Sequence, residues 1–207
     1  MKKVIAVAII FAASIAASYG AAGIFDSFAI VNTASSSFYD VGASTANPDF
    51  QGFDLGEFTA GVDNLQLGGQ TKTFKNNGSD VTSAAIFYRV WSGSPSGSFA
   101  SLNYTFQIDN VGGTPGDQQW GTDAAGVFGG PAYYTSNLLT GLSNGAYNLE
   151  VYTRITTNGV DAATEIFNNN GGSNYSATFT VVPEPATWAL LAGGLTALVV
   201  FRRRRIS

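Results

Sequence analysis

The pattern of hydrophobic and polar residues along the chain predicts an all-β domain. Between residues 23 and 182, short apolar runs alternate with segments rich in glycine, serine, threonine and asparagine. In Leu102–Ile108 and Tyr175–Val181 the apolar residues occupy every second position, which indicates half-buried strands with one face in water. Ala84–Trp91 is apolar on both faces and predicts a central strand, within which Arg89 needs a partner or a route to solvent.

Two further segments predict strands, and two others predict long loops. We expect Phe25–Val31 to form the first strand. Leu65–Phe74 reads as a hairpin whose two-residue turn is Gly68-Gly69. Turn-forming residues are dense in Ser92–Ser98 and Asn110–Pro131, where we expect loops.

The segment Leu142–Tyr152 carries more specific information about the fold. A turn with Gly145 is followed by Tyr147 and then by leucine and valine in alternation. This order resembles the penultimate strand of immunoglobulin-like and fibronectin-type sandwiches, in which the tyrosine hydroxyl bonds to nearby backbone. We therefore predict an antiparallel β-sandwich of the immunoglobulin-like or jelly-roll type; the pattern does not separate the two.

The N-terminal residues, 1–22, differ from the predicted domain. Lys2 and Lys3 precede an apolar run, and small residues follow as far as Ala22. This order predicts a signal helix that signal peptidase removes after Gly20 or after Ala22, and therefore an exported protein. The alternative is an uncleaved anchor helix.

The C-terminal residues, 183–207, predict a single transmembrane helix. Residues 186–201 carry no charge, and as a helix they span about 24 Å, which is short for a bilayer core of about 30 Å. We expect Trp188 at one membrane interface, and the arginine cluster that follows the span on the cytoplasmic side. The apolar span contains Leu190-Leu191 and Gly193-Gly194-Leu195. It is flanked by Pro183, Glu184 and Pro185 on one side and by Arg202, Arg203, Arg204 and Arg205 on the other.

The order of these three elements resembles the PEP-CTERM sorting signal of Gram-negative, exopolysaccharide-producing bacteria. The resemblance implies recognition by a membrane-embedded exosortase and processing near Pro183–Pro185. It further implies passage from the inner membrane to the cell surface or the extracellular matrix. The tail would then be a sorting signal that is removed, not a membrane anchor. A permanent membrane anchor is the alternative.

Charge and composition exclude several classes of function. The domain between the two ends has four basic and thirteen acidic residues, a net charge of −9, which repels nucleic acid. The 207-residue chain contains no cysteine and no histidine. Disulfides, Ser–His–Asp and Cys–His sites and the usual zinc ligand sets are therefore excluded.

The remaining candidates for chemistry are carboxylates and aromatic residues. The acids are scattered, so we predict no enzymatic activity and assign no cofactor. Asp109–Asp117 offers oxygen ligands for a structural calcium ion, but not at EF-hand spacing, and no ligands are assigned. Trp120 lies among amide-bearing residues and is a candidate carbohydrate contact; the alternative is that its ring closes the core.

These observations predict an exported protein of the cell surface or the exopolysaccharide matrix. Signal peptidase and exosortase would be its processing partners, and exopolysaccharide a candidate ligand. We expect a structural or adhesive, non-catalytic role for residues 23–182. The alternative is a secreted carbohydrate-binding module or carbohydrate-active enzyme.

Overall fold

The computed structural model describes residues 21–123, 132–160 and 162–184, together with Leu190. Within these residues, eleven β-strands form two sheets, and the all-β prediction is confirmed. Residues 1–20 of the predicted signal segment, and the predicted transmembrane helix apart from Leu190, fall outside the described residues, whereas Ala22 of the predicted signal segment is the first residue of a strand. The strands are β1 (Ala22–Asn32), β2 (Ser36–Asp40), β3 (Asp54–Thr59), β4 (Gln66–Lys75), β5 (Val81–Trp91), β6 (Ala100–Asn103), β7 (Thr105–Asp109), β8 (Asp117–Gly121), β9 (Gly145–Thr157), β10 (Glu165–Asn168) and β11 (Tyr175–Val182).

In the described part of the chain, no helix has both the length and the apolar character needed to cross a membrane.

The two sheets differ in how their strands run. The first sheet has the order β2-β1-β4-β8-β7, and all of its pairs are antiparallel. The second has the order β3-β11-β9-β5-β6, with β10 paired to the C-terminal half of β9. Strands β3 and β11 are parallel, so the prediction of a purely antiparallel sandwich is wrong for this pair. Because these two strands lie far apart in the chain, no hairpin forces them to be antiparallel.

The core lies between the two sheets and forms one cluster of buried apolar side chains. Period-two alternation brings one face of each long strand into this cluster. Phe50, from the loop between β2 and β3, is fully buried and closes one side. Buried members from the strands include Ala29, Val31, Leu67, Ile86, Leu149, Val151, Ile155, Phe179 and Val181.

Several predicted strands are present. Phe25–Val31 lies in β1, and Tyr175–Val181 lies in β11. Ala84–Trp91 lies in β5, between β9 and β6, and is therefore an interior strand. The loop predicted at Ser92–Ser98 is also present, between β5 and β6.

The segment Leu102–Ile108 is not one strand, contrary to the prediction. The chain leaves β6 in the second sheet and enters β7 in the first, and Tyr104 is the residue between them. Tyr104 is buried, and its backbone N–H bonds to the carbonyl of Ala84 at 2.8 Å. The alternating pattern continues through this change of sheet, so sequence periodicity alone does not reveal it.

Gly68 and Gly69 do not form the predicted turn, because β4 runs straight through them. A side chain at Gly68 would collide with Thr122 and Tyr134, and one at Gly69 would collide with the hydroxyl of Tyr104. The two glycines therefore allow close packing on both faces of β4 rather than a reversal of the chain.

The loop predicted at Asn110–Pro131 contains strand β8, an error of the sequence analysis. The five residues of β8 are mostly polar, but Gln118 and Trp120 are buried. Amide side chains at inward positions hide the alternation by which a strand is usually found. Residues 124–131 of this predicted loop lie outside the described part of the chain.

Candidate functional site

The junction between the domain and the C-terminal sorting segment contains no linker. Val181 is buried, and Val182 pairs with Thr59 of β3. The Val182 carbonyl accepts a hydrogen bond from the N–H of Ala60 at 3.0 Å. Pro183 and Glu184 follow at once, and Glu184 is exposed. The first two residues of the predicted motif therefore lie at the surface, directly after a core strand.

The other predicted motif residues lie outside the described part of the chain. They are Pro185, Arg202, Arg203, Arg204 and Arg205.

Trp120, the candidate carbohydrate contact, is a strand residue rather than a loop residue. It lies in β8 with only 8 % of its surface exposed. Its ring meets that of Phe106 edge-on, with centroids 5.2 Å apart. An indole in this position offers little open face to a sugar ring, and the arrangement favours the alternative that Trp120 closes the core.

A group of aromatic side chains lies instead on the outer face of the second sheet. Phe87 of β5 and Tyr152 of β9 are register partners and stack with centroids 4.8 Å apart and planes 2° from parallel. Phe99 meets Tyr152 edge-on at 5.0 Å, and Phe167 of β10 lies 6.2 Å from it. We call these four residues the aromatic face. Phe167, which is 46 % exposed, is its most accessible member.

The two arginines of the domain pack onto the aromatic face. Arg89 lies 4.5 Å from the ring centroid of Phe99, and Arg154 lies 4.6 Å from that of Phe87. Cation–π contacts of this kind hold both guanidinium groups against the rings. Arg154 also pairs with Glu165 at 2.8 Å, and that pair is largely exposed. The outer face therefore carries aromatic rings that pack against one another at different angles, and each arginine has an acidic partner.

Glu150 anchors one end of this face. Its carboxylate accepts two hydrogen bonds from Arg89, at 2.9 and 3.1 Å, and one from the Trp91 indole at 2.9 Å. A fourth comes from the Asn174 amide at 2.7 Å. Of the two alternatives predicted for Arg89, a partner or a route to solvent, the structure shows a partner. Burial alone would raise the pKa of Glu150, but the hydrogen bonds from Arg89, Asn174 and Trp91 and the charge of Arg89 hold it below its usual value.

The hydroxyl of Tyr152 lies on the same face. Burial raises its pKa. The charge of Arg154 lowers this pKa by less, and the charge of Glu165 raises it by less still. The hydroxyl is therefore neutral at physiological pH and can donate a hydrogen bond to a ligand.

Carboxylates elsewhere in the described residues mainly organise backbone. Asp40 is buried and accepts hydrogen bonds from the N–H and the hydroxyl of Thr45, both at 2.7 Å. In the segment suggested for calcium, Asp109 faces Lys75 at 3.9 Å, and the Asn110 side chain accepts from the N–H of Gly116. Among the residues described, His, Cys, Asp and Glu side chains form no group of three or more that could hold a metal ion.

One open groove brings two carboxylates near each other. It has a volume of about 430 Å³, and Phe58, Val62, Glu57 and Asp63 are among its lining residues. Asp63 accepts a hydrogen bond from the N–H of Thr59 and so holds the turn after β3. The carboxylate of Asp63 therefore has a structural role in this turn.

The fold and the C-terminal junction together define a class of protein: a two-sheet β-domain whose last core strand leads directly into a C-terminal sorting segment. Residues 181–205 match the PEP-CTERM protein-sorting motif. This motif implies that an exosortase sorts the protein to the cell surface, and it confirms the resemblance seen in the sequence for this segment. A comparison with curated proteins gives no match.

Proposed function

We propose that this is a non-catalytic protein of the cell surface or the extracellular matrix. The N-terminal leader directs export, and an exosortase processes the chain near Pro183–Pro185. The observation that carries the proposal is the PEP-CTERM match at 181–205, which begins inside the last core strand. Processing after Val182 would leave both sheets complete, so the released domain would keep its fold.

The experiment compares the native host with a strain that lacks exosortase. Mass spectrometry of the C-terminal peptide should show loss of the residues after the motif in the wild-type host and retention of Ile206-Ser207 in the deletion strain. Glu184→Gln should slow processing, whereas Ser173→Ala, an exposed change far from the motif in sequence, should not. A dominant mature species that ends in Ile206-Ser207 in the wild-type host would contradict the proposal.

We also propose that the sandwich is immunoglobulin-like rather than a jelly roll. Its strand order supports this: β1-β4-β8-β7 corresponds to strands A, B, E and D, and β11-β9-β5 corresponds to G, F and C. The Tyr147 hydroxyl donates to the carbonyl of Ser143 at 2.9 Å, which matches the tyrosine corner expected near the start of strand F. Leu149, two residues later, is fully buried where antibody domains place a cysteine. Apolar packing thus takes the place of the disulfide.

The aromatic face supports the proposed structural or adhesive role of the domain. The rings of the aromatic face pack against one another and against Arg89 and Arg154, which are themselves held in ion pairs. Little side-chain freedom is therefore lost when a partner binds. Several of the scattered acids hold turns or form ion pairs, and we propose that the domain has no hydrolytic activity. Incubation with the host's polysaccharide should release no reducing ends, and release that Glu57→Gln abolishes would contradict this.

The aromatic face supports a second candidate function, carbohydrate binding. Sugar rings stack on aromatic faces while hydroxyls and amides bond to their edges; Phe167 offers an accessible ring, and Tyr152 offers a hydroxyl. Co-sedimentation with the host exopolysaccharide, with and without calcium, tests this. Binding should be saturable and should be lost in Tyr152→Ala and Phe167→Ala. The matched control is Phe25→Ala, an aromatic residue of the first sheet that is 42 % exposed. Equal loss in the control would contradict a site on this face.

A further inference from the structure

We infer that the mature protein begins at Ala21, because signal peptidase cuts between Gly20 and Ala21. The inference rests on the proposed export of the chain. The sequence alone permits two cleavage sites, one after Gly20 and one after Ala22. The folded domain favours the first of these two sites, because Ala21 and Ala22, which lie between them, are part of its first sheet.

Ala21 and Ala22 are part of the first sheet. The carbonyl of Ala21 accepts a hydrogen bond from the N–H of Asn76 at 2.7 Å, and Ala22 is the register partner of Lys75. Both alanines are buried, with 2 % and 4 % of their surfaces exposed, and Ala22 belongs to the core cluster.

Cleavage after Ala22 would damage the end of this sheet. It would remove the partner of the Asn76 N–H and the pairing at Lys75. It would also place a charged α-amino group on Gly23, whose register partner is Phe74. The ring of Phe74 lies so close to Gly23 that a side chain there would collide with it. A charge in this apolar position costs free energy. Cleavage after Gly20 keeps the hydrogen bond from the Asn76 N–H and the pairing at Lys75, places the α-amino group on Ala21 rather than on the register partner of Phe74, and leaves β1 complete.

The residues before the inferred cut also suit signal peptidase. With cleavage after Gly20, Gly20 is the last leader residue and Ser18 lies two residues before it. Both are small, as the enzyme requires at these two positions. The bulky Tyr19 falls between them, where the requirement does not apply.

The test is the N-terminus of the exported full-length chain, measured by N-terminal labelling and mass spectrometry. A mature N-terminus at Ala21 supports the inference. An N-terminus at Gly23, lighter by two alanine residues, overturns the inference but leaves export intact. A chain that keeps Met1 overturns both the inference and the export step of the proposed function.

Two variants sharpen the test. Ser18→Leu places a large residue at a position that only the Gly20 site requires to be small, so the Ala21 terminus should disappear. Any processed product should then begin at Gly23 and melt a few degrees lower than the wild type, because it lacks the end of β1. Ala17→Leu is the matched control and should keep the Ala21 terminus. If Ser18→Leu still yields Ala21, the inference is overturned.

Discussion

Glu150→Gln should destabilise the domain strongly although it changes only one charge and almost no volume. The carboxylate has two anionic oxygens that serve four donor groups, from Arg89, Trp91 and Asn174. Glutamine offers one neutral oxygen and adds two donors of its own. At least two of the four hydrogen bonds are therefore lost, and Arg89 loses its counter-charge.

The magnitude follows from the burial of the pair. The Glu150 side chain is 8 % exposed and that of Arg89 is 19 % exposed. Breaking a buried ion pair by removing one partner typically costs about 3–5 kcal/mol. Arg89 retains its hydrogen bond to the carbonyl of Gly97 and its contact with Phe99, so we expect a loss near the lower end, about 3 kcal/mol. For a domain of this size that corresponds to a fall in Tm of about 6–12 °C.

The assay is urea unfolding of the exported protein at neutral pH, followed by far-ultraviolet circular dichroism. Glu165→Gln is the matched control, because its pair with Arg154 lies on the same face but is exposed at 34 % and 47 %. The control should lose less than about 1 kcal/mol. If Glu150→Gln costs no more than the control, the buried network does not stabilise the domain as argued.

The same pair of variants predicts a pH dependence. The folded pKa of Glu150 lies below its unfolded value, so its contribution to stability is present above the unfolded pKa, about 4.3. That contribution is lost as the pH falls through the folded pKa. The difference in free energy of unfolding between wild type and Glu150→Gln should therefore shrink between pH 7 and pH 3. A difference that stays constant over this range would show that packing, not charge, is its cause.

Three further substitutions test packing within the sandwich, each measured by the same urea assay. Thr73→Val should stabilise the domain by about 1 kcal/mol, because the buried Thr73 hydroxyl has no hydrogen-bond partner within the described residues; a loss would contradict this. Gly69→Ala should cost about 1–3 kcal/mol through collision with Tyr104, and Tyr104→Phe in the same chain should recover part of the loss. Tyr147→Phe should cost about 1 kcal/mol by removing the bond to Ser143; an unchanged midpoint would show that the corner adds no stability.

Much of the second sheet could be predicted from sequence, because its strands show the physical signals that sequence analysis detects. β5 is apolar on both faces, and polar and apolar residues alternate along β11. In both strands the residue types themselves therefore indicate which side chains are buried. Tyr147 after a glycine turn is a local arrangement, and its hydroxyl bonds only four residues back along the chain. Signals that act over a few residues can be read without knowledge of the rest of the fold.

The remaining features depend on contacts between residues distant in sequence. Gly68 and Gly69 suggested a turn, and only the neighbouring Thr122, Tyr134 and Tyr104 show why glycine is needed there. The aromatic face was missed for the same reason. Its members come from four separate segments of the chain, and the register of β5 against β9 is what stacks two of the rings. The polar neighbours of Trp120 predicted an exposed loop and hence a carbohydrate contact, but these neighbours belong to strand β8.

The absence of a linker between β11 and the sorting motif constrains how the protein can work. Val182 is paired in the sheet, and Glu184 is already exposed, its carboxylate beside Gly61 in the turn after β3. A flexible linker would let a tethered domain sample a wide volume, but here the chain leaves the sheet through two prolines, Pro183 and Pro185, that restrict its path. Before processing, the turn after β3 must therefore lie close to the membrane or the enzyme that holds the tail. Under the proposed function, release of the tail frees the domain to meet distant partners, so processing precedes any adhesive role of the aromatic face.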